Sequence, residues 1–383
     1  MSAAASMHIE RGVCHVMFAY DVGMSINLPE AERVLVAAAR PETIRHTRRT
    51  PEYFGFENPP VRVPQACGPL SLGPYQTAES VEIALFEFGA VSVKYSIPIR
   101  GEMEDLLELT DRLYENAALR ADSLSRVQRL VRDVASAIAK PRIAEFVEDY
   151  SIIHVISTRE NRSRGFVERM VGDAASLSAR VLRAERGELS RDEITDAMGA
   201  RICFSPDDVL IVDWNGALMV GEQMDDVIAV LEYANVELLE MRYLDHRLDS
   251  AMERTSGART TRGLRAWWPA SLGGGAGGGG GGGGGAATFR ALAELQVDGA
   301  RLFEEVNNAL KLLGDQYLAR VYRLASQRLH LPEWDAAILR KLNTIESIYQ
   351  KMNDFRTARR LETLEWIVIL LIAVEVVLSL VRW

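Results

Sequence analysis

Sulfur and imidazole chemistry are thin in this chain. Its three cysteines, Cys14, Cys67 and Cys203, lie far apart without paired spacing, which excludes a disulfide framework and a zinc knuckle and fits a reduced compartment. The six histidines (His8, His15, His46, His154, His246, His330) are scattered, and no HExxH or paired His/carboxylate spacing is present. Cys14-His15 with His8 therefore reads as a strand thiol and a loop imidazole. A nucleophile elbow of the GxSxG kind is also missing. No catalytic residue, cofactor or metal ligand is assigned from the sequence.

Positive charge is short as well. The net charge of −9 argues against a chain whose work is coating nucleic acid, and no direct nucleic-acid binding is expected. The basic run Arg45, His46, Arg48, Arg49 reads as a solvated loop. Residues 1–13, MSAAASMHIERGV, hold no apolar stretch long enough for a signal peptide.

Long apolar runs are absent but for one. Between Trp366 and Val381 twelve positions are Ile, Leu or Val, against one charge, Glu375, and one further polar residue, Ser379. Those twelve contribute roughly −4 to −7 kcal/mol on an insertion scale, against about +3 for the acid. Residues Leu364 to Trp383 are therefore expected to be a single transmembrane anchor, with Trp366 and Arg382 at its interfaces. Arg356, Arg359 and Arg360 precede the span closely. By the positive-inside rule they place the bulk of the chain in the cytoplasm, at an inner or plasma membrane, or on the matrix side if mitochondrial. Glu375, Ser379 and Arg382 fall on one helical stripe, the expected seam between copies in a homo-oligomer built through the C-terminal helices.

What precedes the span divides by composition. Residues 1–75 read as an irregular N-terminal segment with one or two strands, among them Cys14 to Tyr20, and a helix after Pro29. Residues 76–255 read as an α+β domain. Within it, Val81 to Phe86, a turn at Glu87-Phe88-Gly89, Ala90 to Ile97 and a following helix make one ββα unit. Asp208 to Asp213, Trp214-Asn215-Gly216, Ala217 to Val220 and the helix from Asp225 make a second. Glu87 and Asp213 occupy equivalent places beside turn glycines. They serve the turn or face a ligand. Residues 256–287 form a linker whose Gly-rich tract, 273–285, has no phosphate-loop context. In 288–363 the apolar positions Phe303, Val306, Leu310, Leu313, Tyr317 and Leu324, then Ile338, Leu342, Ile345, Ile348, Met352 and Phe355, predict a helical hairpin or coiled coil. The expected fold class is α+β: a sheet with covering helices, drawn as two ββα units, then a long C-terminal helical hairpin running into one transmembrane helix.

Leu342-Asn343, Ile345, Ile348, Tyr349 and Leu364 through Glu375 resemble the C-terminal signature of the "required for meiotic nuclear division" or YagE family, long carried as a domain of unknown function. Glu87 through Val93, and Tyr243-Leu244-Asp245 with Arg247-Leu248-Asp249, resemble further segments of it. The resemblance implies a membrane-anchored protein with eukaryotic relatives at the mitochondrial inner membrane that support mitochondrial translation. It implies no catalytic residue.

Two functions stand as expectations. One is a membrane-anchored, non-enzymatic scaffold or assembly factor that self-associates and holds an unidentified protein partner at the membrane. The other is a ligand- or nucleotide-binding or hydrolytic enzyme using Glu87 and Asp213.

Overall fold

The computed structural model describes residues 7–38, 59–159, 164–263 and 316–348, with isolated positions at 297, 299, 300, 303, 304, 350, 351, 365, 368, 369, 371 and 372. The chain divides into two units, residues 1–243 with 302–335 and residues 244–301 with 336–383.

The first unit is built on a mixed sheet of eight strands. In chain order its strands are β1 (His8–Asp21), β3 (Val61–Ala66), β6 (Ser80–Leu85), β7 (Ala90–Glu102), β9 (Glu148–Thr158), β10 (Arg201–Ile202), β11 (Val209–Val212) and β12 (Gly216–Val220). Two-residue pieces, β2 (Ser25–Ile26) with β8 (Ile138–Ala139) and β4 (Ser71–Leu72) with β5 (Tyr75–Gln76), form two small ladders beside it. The sheet order is β10-β11-β12-β9-β1-β7-β6-β3. Every pairing is antiparallel except β12 on β9. The two hairpins of the sequence analysis thus sit in one sheet but are not equivalent. β7 runs antiparallel to β1, whereas β12 runs parallel to β9.

Side chains alternate across the strands, so each strand feeds two cores. On β1, Cys14, Val16, Phe18 and Tyr20 enter one core while Met17 enters the other; on β9, Ile153 and Val155 oppose Tyr150 and Ile152. The first core is closed by α1 (Leu28–Ala38), α2 (Leu106–Leu113), α3 (Ala117–Asp133), α4 (Arg164–Val171), α5 (Ala175–Arg183) and α6 (Arg191–Gly199). The second is closed by the start of α7 (Asp225–Gly263) and by the helix Gln316–Arg328, here α8. The result is helices on both faces of one sheet.

Polar residues fix α7 on its face of the sheet. Glu232, almost fully buried, accepts a 2.7 Å bond from the Ser92 hydroxyl and pairs with Arg62 at 2.7 Å. Arg62 and Lys94 also converge on Glu82 at 2.7 and 2.6 Å. Burial works against the Glu82 carboxylate, but Lys94 and Arg62 together pull it down to about 2. Gly89 closes the β6–β7 turn at φ +97, where a Cβ would lie 2.2 Å from the carbonyl oxygen of Gly23. Only glycine fits there.

Several expectations need correction. Residues 1–75 do not form a merely irregular segment: β1 runs from His8 to Asp21 and lies inside the sheet between β9 and β7. Its first half, HIERGV, lacks strand composition because the register shifts between Ile9 and Gly12. The stretch carrying Tyr317 and Leu324 is helical and is followed, after a turn at 329–330, by a second helix from Leu331, but its buried face meets the sheet. Leu318, Val321 and Ala325, at helical spacing, pack on Met17, Tyr150 and Ile152 of the sheet's second face.

No helix among the described residues is long and apolar enough to cross a membrane. This overturns the single-pass anchor in the expected fold class and, with it, the inner- or plasma-membrane location and the topology drawn from it. Most of 364–383, including Trp366, Glu375, Ser379 and Arg382, lies outside the described residues, as do Arg356, Arg359, Arg360 and the tract 273–285. In the second unit Leu244, Leu248, Ile338 and Ile345 are buried, and Lys341 Nζ bridges Asp245 and Asp249 at 2.6 and 2.7 Å.

Candidate ligand-binding cleft

A cleft of about 500 Å³ opens in the first unit where β9 and β12 run side by side. Its floor is strand backbone and short side chains: Ser151 and Ile153 from β9, Gly216 and Ala217 from β12. Gly216 is required there, since a Cβ would come within 2.7 Å of the Ser151 carbonyl oxygen.

The walls are made by helix ends. Leu113, Tyr114 and Glu115 close α2, Leu182 and Ala184 close α5, and Arg328, Leu329 and His330 close α8, and all of them line the cleft. Glu115 (φ 50), Ala184 (φ 54) and His330 (φ 56) hold the left-handed conformation without being glycine. Such residues cost free energy and gather where a structure needs a fixed, unusual backbone. α2 and α5 bring the negative ends of their dipoles there, while at α8 the next helix, starting at Leu331, brings a positive end beside the negative one.

Behind the floor stands Asp213, fully buried at the end of β11. Arg183 Nε donates to its Oδ2 at 2.9 Å, and Arg328 donates to its Oδ1 through Nε at 2.9 Å and a terminal nitrogen at 2.5 Å. Both guanidiniums also hold Asp196, at 2.5 and 2.6 Å, and Arg183 pairs with Glu193. The two arginines keep Asp196 well below the usual carboxylate range. The Trp214 amide donates to Asp213 Oδ1 at 2.9 Å and the Tyr150 hydroxyl to the Asp213 carbonyl at 3.0 Å. Asp213 is therefore consumed by the turn and by two cations; it anchors the cleft and does not face a ligand. Glu87 is itself exposed on the β6–β7 turn and is not among the residues that line the cleft.

Tyr150 is fully buried, so Tyr150→Phe removes one hydrogen bond and little else. We expect it to cost about 1–2 kcal/mol in urea unfolding, the usual cost of stranding a buried acceptor. A cost below ~0.3 kcal/mol would show the turn to be held without it.

The mouth carries the titrating groups. Glu148, at the start of β9, pairs with Arg242 of α7. Burial pushes its carboxyl up to about 7, with Arg242 opposing and the neighbouring Asp149 assisting. Asp149, raised chiefly by desolvation although its side chain reaches solvent, and the exposed Glu115 have no ion-pair partner among the described residues. Asn215 Oδ1 is buried without a hydrogen-bond partner. Tyr114 and Trp214 are 56% and 53% exposed, large values for aromatic residues, and Trp334 completes the rim.

Sequence reasoning brought Asp213, Trp214, Asn215 and Gly216 to one turn. It missed Glu148, Asp149, Tyr114, Glu115, Arg242 and the α8 end. No motif links those positions. The helix ends of the wall alone share a signal, a helix ending without glycine, at Tyr114-Glu115, Ala184 and His330; Glu148, Asp149 and Arg242 carry none. Among the described residues no group of three or more His, Cys, Asp or Glu is placed to hold a metal ion.

A family model described as Uncharacterized protein MJ0711, N-terminal domain, matches residues 11–226, more than half of the chain. The chain belongs to that family. A protein of Methanocaldococcus jannaschii, Uncharacterized protein MJ0711, is 21% identical over 257 residues, covering 67% of this chain and 73% of the relative. No solved structure matches. The family finding overturns the resemblance to the required for meiotic nuclear division or YagE family, and the link to translation inferred from it. The matched region contains the sheet strands β6 to β12 and the turn Asp213–Gly216; Arg242, Arg328, His330 and Trp334 lie beyond it.

Proposed function

We propose that this protein binds a small polar ligand in the cleft between the β9–β12 floor and the ends of α2, α5 and α8. The observation that carries the reading is Asn215, a half-buried residue of the lining whose Oδ1 has no hydrogen-bond partner among the described residues. A volume of about 500 Å³ lies within the range of small-molecule sites, and exposed aromatics with a few placed polar groups are their usual lining. Strained backbone at three of the wall residues fits a preorganised site. Binding without chemistry is favoured over hydrolysis. Asp213 is committed to two arginines and Glu148 to Arg242, which leaves neither carboxylate free as a base. The expectation of a scaffold loses its membrane tether; self-association through C-terminal helices would rest on residues lying mostly outside those described.

Asn215→Leu tests the reading through opposite effects on stability and binding. Removing a buried, unpaired acceptor should leave urea-unfolding stability unchanged or raise it by up to ~1 kcal/mol. The same substitution should weaken, at least fivefold, the binding of matched hexyl amine, acid and alcohol probes, read from the indole resonances of Trp214 and Trp334 in the full chain. If none of the probes moves either indole at millimolar concentration, the cleft is not a binding site.

A further inference from the structure

We infer that the ligand of this cleft is an organic cation, a primary ammonium or guanidinium on an apolar stem. The inference rests on the cleft being a binding site and names what it takes.

Three independent features of the lining point to positive charge. The first is the set of acids left over once internal pairing is done. Arg328 is committed to Asp213 and Asp196, and Arg242 to Glu148. That leaves Asp149 and Glu115 in the lining outside any ion pair among the described residues, with Arg120 acting on Asp149 only through its field. An anionic ligand would have to draw a guanidinium away from a carboxylate; a cationic one meets free carboxylates.

The second feature is the backbone. The last residues of α2, α5 and α8 border the space, and a helix C-terminus carries roughly half a negative charge, favouring cations within its last turn. The ends of α2 and α5 oppose an anion from two sides; at α8 the helix that starts at Leu331 sets a positive end against the negative one.

The third is hydrogen-bonding sense. Asn215 Oδ1 is an acceptor in want of a donor, and ammonium and guanidinium groups only donate. Tyr114 and Trp214 present exposed rings at the rim, able to cover an alkyl stem and to attract a cation through the ring face. His330 on the same wall has Glu333 within 3.5 Å of its Nδ1.

Four probes with one stem and different heads decide the matter: hexylammonium, hexylguanidinium, hexanoate and hexanol, titrated into the full chain with the Trp214 and Trp334 indoles observed. The two cations should bind at least tenfold more tightly than hexanoate or hexanol, and their affinity should fall as salt is raised. Asp149→Asn and Glu115→Gln together should weaken the cations about two- to tenfold, the scale of exposed ion pairs. The same pair should leave hexanol binding and the melting temperature unchanged. Hexanoate or hexanol binding as tightly as the cations overturns the charge assignment and leaves the binding cleft standing. Silence from all four probes overturns both.

Discussion

Asp213→Asn is expected to cost about 3 kcal/mol of unfolding free energy or more. The substitution keeps the shape of the side chain and removes the charge that two guanidiniums share. Asp213 is fully buried, and the side chains of Arg183 and Arg328 are only 11% and 18% exposed, so neither cation regains full hydration when its partner goes. Breaking a buried pair from one side costs ~3–5 kcal/mol for that reason. Asp196 and Glu193 remain to hold the arginines and place the expected loss at the lower end. For a unit of this size about 3 kcal/mol corresponds to roughly 6–12 °C in melting temperature. Asp196→Asn is the control. Its side chain is 57% exposed, and its loss should cost below ~1 kcal/mol despite contact with the same two arginines. Equal losses in the two variants would show that burial is not what makes Asp213 matter. With Asp213 neutralised, Arg328 is freer to turn toward the cleft, so hexylammonium affinity should fall as well.

The turn that holds Asp213 was legible because its chemistry is local. Acid, aromatic and glycine between two β-rich runs announce a hairpin, and the same pattern at Glu87-Phe88-Gly89 announces the other. The difference between them was not legible. Glu87 stays exposed on its turn, whereas Asp213 is roofed by the ends of α5 and α8, and that depends on β12 lying parallel to β9. Strand order is a long-range property that no local period encodes.

The cleft was illegible for a related reason. Its residues come from six separated stretches, around 110–115, 148–153, 181–184, 214–217, 238–242 and 328–334, and each alone reads as part of a helix or a strand. The α8 stretch misled in a different way. Its apolar period fits a coiled-coil seam as well as a sheet-covering face, and only the partner surface decides. The partner proved to be the second face of the sheet, reached by Leu318, Val321 and Ala325. That same docking brings Arg328 to Asp213 and His330 to the cleft, so the helix that closes the core also completes the site.

The docking of α8 on α7 should make stability fall as pH rises through neutrality. Glu237 of α7 is almost fully buried, and its Oε2 accepts a 2.7 Å hydrogen bond from the Tyr322 hydroxyl of α8. Burial pushes its carboxyl up to about 8, the Tyr322 bond opposing and Asp335 assisting. The carboxyl of Glu240, on the same helix and equally buried, and the Tyr233 hydroxyl stand in the same stretch of α7. An unfolded glutamate titrates near 4.3, so between about 4.3 and 8 the folded chain binds a proton that the unfolded chain has released. Stability therefore declines across that interval and levels off above it, by an amount on the order of 3–5 kcal/mol. Glu148, raised to about 7, adds a decline of the same sign that ends earlier. The segment between pH 7 and 8 thus belongs mainly to Glu237. Glu237→Gln keeps an acceptor for Tyr322 and abolishes the titration. Its urea-unfolding free energy should match wild type near pH 5, exceed it by several kcal/mol at pH 9, and stay level between 7 and 8 where wild type falls. Superimposable curves for the two proteins from pH 5 to 9 would mean that water reaches Glu237 and that α8 docks without a protonated acid beneath it.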